Sequence, residues 1–93
     1  MPAAVRLNDM CTGHGCFSAR ANAQGSPDTF INDRPAHRKT DVWLTHCCVV
    51  CHGASLAQGS PDSFVNDLEQ ARVGDPTTCG STCATGSPDT FVN

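Results

Sequence analysis

The chain has 93 residues, a formal net charge of -3, four phenylalanines, one tryptophan and no tyrosine. That length bounds it to one domain over 1-93, and so few aromatics leave a thin hydrophobic core. Acids and bases are interspersed with no Lys/Arg run, so the electrostatic footprint of a nucleic-acid binder is missing, and no apolar run reaches bilayer-spanning length.

The first segment, Met1 to Arg6, has no signal-peptide pattern. It predicts synthesis in the cytoplasm and export only by machinery that reads something else. Arg6-Leu7-Asn8-Asp9 opens a frame that returns as Arg38-Lys39-Thr40-Asp41 and Arg72-Val73-Gly74-Asp75. An Arg and an Asp three apart form either a buried clamp between neighbouring units or a solvated surface pair, and the sequence leaves both open.

A loop follows each frame. The first holds Cys11-Thr12-Gly13-His14-Gly15-Cys16, the second runs from Val42 through His46, Cys47, Cys48, Cys51 and His52 to Gly53, and the third spans Pro76 to Cys83 with Cys79 and Cys83. Each loop leads to an octet of the form Gly-Ser-Pro-Asp-Thr/Ser-Phe-Ile/Val-Asn, at Gly25 to Asn32, Gly59 to Asn66 and Gly86 to Asn93. Gly-Ser-Pro-Asp is turn chemistry: glycine tolerates positive φ, proline fixes φ, and Asp bonds its own backbone. The β-branched and aromatic run after it predicts a short strand. Period-2 geometry sets Phe30, Phe64 and Phe91 at matched positions, which predicts a shared apolar centre with approximate threefold symmetry. Leu68 to Val73 could form one helical turn, but the matching segment of the first unit, Arg34-Pro35-Ala36-His37, argues against it. The fold class is therefore all-β and loop-rich, one unit built three times.

Every cysteine, and every histidine except His37, falls in the loop between a frame Asp and the next octet. Symmetry-related loops must gather at one end, bringing together His14, His46, His52 and Cys79. Three neutral imidazoles and a thiolate complete a closed tetrahedral zinc site. His37 lies in the other register and reads as structural or surface. An odd cysteine count without a secretory leader favours metal over a disulfide framework. The alternatives for the same residues are a disulfide such as Cys11 to Cys16, buried free thiols, or solvent-exposed histidines. Cys48 near His46 has no oxyanion site or cleft beside it, so no catalytic residue is assigned and the chain does not read as an enzyme.

These residues together resemble the PAAR-repeat proteins, the spike tips of contractile injection systems. The resemblance rests on Asn32-Asp33-Arg34-Pro35-Ala36-His37-Arg38, on Asn66 to Asp75, on a degenerate copy at Met1 to Arg6, and on the Gly-Ser-Pro strand phrase, and it covers essentially the whole chain. Asp33 and Asp67 depart from it, standing where the family has a turn glycine. The family implies a short conical fold of three β-repeats with a metal at the vertex. Zinc, or iron, would be held by His14, His46, His52 and Cys79, and Cys47 or Cys51 displacing one histidine is the alternative within that set. The family also implies a function: capping and sharpening a trimeric β-helical spike, one tip per trimer, in a phage tail or type VI secretion system. That role includes transient contact with a target membrane and no nucleic acid or small-molecule substrate. Rival readings are a free-standing zinc-binding interaction module and a disulfide-stapled toxin. The spike reading predicts thermal stability that falls with EDTA and is indifferent to reductant.

Overall fold

A computed structural model describes residues 1–93. The chain is all-β, without a helix, and measures 36 × 24 × 22 Å along its principal axes. Three two-stranded antiparallel sheets carry the named strands. β1 (Phe30–Ile31) pairs with β2 (Arg34–Pro35), β3 (Val42–Cys48) with β4 (Val50–Ser55), and β5 (Phe64–Val65) with β6 (Leu68–Glu69). Leu68, at the start of the ambiguous segment, is strand.

The repeat is literal in the backbone. Phe30 faces Pro35 and Phe64 faces Glu69; in the third unit Phe91 bridges Ala3 instead. The N-terminal segment thus supplies the missing half of the last hairpin and closes the ring. Immediately inside it, Val5 N–H donates to the Ala71 carbonyl, His37 N–H to that of Val5, and Ala71 N–H to that of His37, at 3.0, 3.1 and 2.9 Å. Val5, His37 and Ala71 are fully buried around this pseudo-threefold axis.

The octets form a second ring through side chains. Asn32 Nδ2 donates to Asp89, Asn66 Nδ2 to Asp28, and Asn93 Nδ2 to Asp62, so each octet holds the next. Within each, the serine hydroxyl accepts the N–H groups two and three residues on, as at Ser26, Ser60 and Ser87. The octet glycine serves close approach rather than positive φ: a Cβ on Gly25 would stand 2.8 Å from Pro35 Cβ. Positive φ falls instead on Asn32 and Asp33, and on Asn66 and Asp67, the central residues of two-residue hairpin turns.

The Arg-x-x-Asp frames are clamps, each formed within one unit, buried at Arg6–Asp9 and Arg38–Asp41 and partly buried at Arg72–Asp75. In each, Nε and Nη2 of the arginine grip the two carboxylate oxygens, and the same Asp accepts the arginine's own N–H. The arginines also reach across units. Arg6 donates to Asn32 and the Gly86 carbonyl, and Arg38 donates to Asn66. Burial alone would raise the Asp9 carboxyl, but bonds from the Arg6 side chain and backbone and from Thr85 outweigh it and hold Asp9 below the usual carboxylate range.

One expectation is corrected by the structure. Phe30, Phe64 and Phe91 are 56, 58 and 48 % exposed. They form no apolar centre, because the first two octet strands are only two residues long, the third is a single bridge at Phe91, and each turns its phenylalanine outward. The core is instead a small cluster of Val5, Cys11, Trp43, Leu56, Ala71 and Cys83. Of the two readings of His37, structural or surface, the structure selects the first: it is wholly buried, Nδ1 lies 2.7 Å from the Gln24 carbonyl, the ring packs edge-on against Trp43, and Nε2 has no partner.

Candidate metal centre

The loops lead from the clamps to one cluster. His14 sits in a tight reversal closed by two backbone bonds with Phe17, at 3.0 and 2.8 Å. His46 and His52 face each other across the β3–β4 ladder. A register shift between Trp43 and His46 sets Leu44 and Thr45 of β3 against Gly53 alone. This bulge decides the chemistry. In an unbroken strand Trp43 and His46, three apart, would point to opposite faces. With the extra residue absorbed, both turn inward and are buried, while Cys47 is turned out. Cys79 arrives on the third loop, its Sγ 3.3 Å from the Thr77 hydroxyl.

The ligand atoms of His14, His46, His52 and Cys79 all lie within 4.8 Å of one another. His14 Nε2 is 3.2 Å and His46 Nε2 2.6 Å from His52 Nε2, and Cys79 Sγ is 3.9 Å from His46 Nε2. A tetrahedron with metal–nitrogen bonds of about 2.0–2.1 Å has edges of about 3.3 Å, so the donors are spaced to share one small cation. His46 Nδ1 lies 2.8 Å from the Ser18 carbonyl. A carbonyl only accepts, which fixes the proton on Nδ1 and leaves the Nε2 lone pair for a metal. Desolvation, then the neighbouring His46 and His14 rings, push His52 below the ordinary imidazole range and favour the neutral, ligating form.

All three histidines, on the first and second loops, and Cys79 on the third meet as the repeat predicts. Cys47 and Cys51 do not compete: they are ladder partners on the outward face and form a disulfide with each other. A second disulfide joins Cys16 to Cys48, while Cys11 and Cys83 stay as buried thiols and Cys79 is free. The Cys11–Cys16 alternative does not form: Cys16 is bonded to Cys48 and Cys11 is a free, buried thiol. Burial, then Asp75 and Cys11, push the Cys83 thiol up to about 12, so it stays protonated. Four of the seven cysteines are thus held in disulfides, none of them among the four clustered donors.

A model of the PAAR motif matches residues 22–85. The chain belongs to the PAAR family. Among curated proteins none matches it. The PAAR match covers the second and third frames and two of the octets, and it lies over three of the four clustered donors, His46, His52 and Cys79. PAAR-motif proteins are structural spike-tip proteins, and in this PAAR chain the cluster can hold a metal ion. No helix of the chain is long and apolar enough to cross a membrane.

One feature of this PAAR site escaped the sequence. Phe17 packs on all three imidazoles, its ring centroid 4.9, 4.9 and 4.2 Å from those of His14, His46 and His52. It roofs the donors with apolar surface and limits their rotation. Its signal was faint: it is the one phenylalanine outside the octets, three residues after His14.

Proposed function

We propose that residues 1–93 act as a single tip domain that caps the end of a trimeric β-helical spike in a contractile injection apparatus, a phage tail or a type VI secretion system. A structural metal, zinc in the first instance, is held by His14, His46, His52 and Cys79. The observation that carries this reading is the threefold layout. Phe30, Phe64 and Phe91 stand exposed at equivalent places on a closed ring of octets. A single chain with three like faces can meet three identical chain ends at once. Each phenylalanine covered by a partner contributes about 1.5–3 kcal/mol at most, enough in sum to favour docking. Zinc binding in small zinc domains is worth on the order of 10 kcal/mol, which would hold the loops together under the load of penetrating an envelope. With four protein donors filling the shell, no position is open for chemistry, and the role is mechanical.

Two measurements test it. Mixed with a spike trimer, the chain should form a complex of one tip per three spike chains, lost when Phe30, Phe64 and Phe91 are changed to Asp; a complex indifferent to those changes sinks the docking reading. Elemental content should be one metal per chain, abolished in Cys79→Ala. If Cys79→Ala keeps its metal, the donor set is wrong.

A further inference from the structure

We propose that Cys16–Cys48 and Cys47–Cys51 are oxidative modification sites forming a covalent frame that holds His14, His46 and His52 in place without the metal, closed by thiol–disulfide exchange with a low-molecular-weight disulfide such as oxidised glutathione. The inference builds on the metal reading above, but its central claim concerns the loops themselves.

Cys16 follows His14 by two residues and Cys48 follows His46 by two, and these two cysteines are bonded. In β3 that spacing keeps Cys48 on the face of His46. The bridge therefore ties the first loop to the second beside the donors, across 32 residues of chain. Cys47 and Cys51 each neighbour a donor in sequence, His46 and His52, and their bridge locks the ladder step next to the histidine pair from the outward face. The two cysteines that flank no donor, Cys11 and Cys83, are buried and unbonded. Disulfides thus stand only where they fix a histidine. Cys16, Cys47 and Cys51 are exposed and Cys48 is half-buried, so a small disulfide can reach them.

Each closure balances. A protein thiolate attacks one sulfur of the small disulfide, a mixed disulfide forms, and the expelled thiolate leaves with the electron pair and takes a proton. The second protein thiol then attacks the mixed disulfide and expels the other small thiol. The protein loses two electrons and two protons per bridge, and one small disulfide becomes two thiols.

The third loop lies outside this frame. No covalent link reaches Cys79, so residues 77–81 are held only by hydrogen bonds, such as Thr78 N–H to the Ser55 carbonyl, and by the metal. The frame therefore predicts a pattern in amide hydrogen exchange. In oxidised protein, EDTA should speed exchange at 77–81 and leave 12–17 and 44–53 protected. Adding a phosphine reductant should then speed exchange at 12–17 and 44–53 by about tenfold or more, the scale of a modest loss of local stability. The variant with Cys16, Cys47, Cys48 and Cys51 all changed to Ser should behave as the reduced protein and bind zinc about tenfold or more weakly than oxidised wild type, reflecting lost pre-organisation. Peptide mapping after equilibration with oxidised glutathione should find both bridges. Four free thiols in that map, or equal exchange in the metal-free oxidised and reduced states, overturns the frame. If zinc binds none of these proteins while reduction still opens 12–17 and 44–53, the frame stands and the metal reading falls.

Discussion

His37 shows how one side chain can couple stability to pH. The sister positions on the axis are Val5 and Ala71, so a titratable ring occupies a place the repeat otherwise fills with an aliphatic group. Desolvation holds its pKa below the ordinary 6.5, ahead of the opposing bond to the Gln24 carbonyl. Below about 6.5 the unfolded chain therefore binds a proton that the folded chain resists. The contribution is complete above the unfolded value and is lost as pH falls towards the folded one. His37→Val should flatten the fall in Tm between about pH 6.5 and 5 relative to wild type, measured with EDTA present so that the metal plays no part. An unchanged slope would mean that His37 is protonated and satisfied in the fold. Asp9, held low, gives a separate loss nearer pH 4, its unfolded value being 3.8.

At the scale of elements, the turns carry the strain. The third residue of each frame has positive φ: Asn8 at 73°, Thr40 at 77° and Gly74 at 96°. The hairpin connector Val49, between β3 and β4, has φ 69° and is fully exposed. Thr40 and Val49 are β-branched, the class for which this region costs most. Thr40→Gly copies the third unit, and a Cβ is lost at Val49 without losing a contact. Each change to glycine should raise stability by about 1 kcal/mol, a Tm increase of a few degrees for a chain of this size. Thermal melts decide it: a decrease at either position would show that unfolded-state entropy outweighs the strain. The turn asparagines and aspartates, Asn32-Asp33 and Asn66-Asp67, are residue types that enter the same region at lower cost.

The whole molecule is a ring closed by its own ends. Ala4 N–H donates to the Thr90 carbonyl, Val92 N–H to that of Pro2, and Val73 N–H to that of Ala3. With few apolar side chains buried, these bonds and the Arg–Asp clamps replace the core that composition denies. Removing residues 1–3 deletes two of the three bonds and should cost about 1–3 kcal/mol, read as a lower denaturant midpoint. An unchanged midpoint would mean that the third hairpin holds without its N-terminal half.

Sequence alone settled the architecture that the repeat implies. Three octets, three Arg-x-x-Asp frames and the near-equal offsets of His14, His46 and Cys79 from their frame aspartates pointed to a threefold β architecture and to the four clustered donors, because like segments fold alike and must cover one another. What depends on breaking the repeat was illegible. The bulge at Leu44–Thr45 chooses His46 over Cys47 as the inward group, and no local residue marks it. Which cysteines bond and which stay buried follows from which sulfur atoms the assembled loops bring within reach. The outward turn of Phe30, Phe64 and Phe91 likewise follows from strands too short to show a period. Side-chain direction in such a small β-protein is set by contacts far apart in sequence, so only the tertiary structure could decide it.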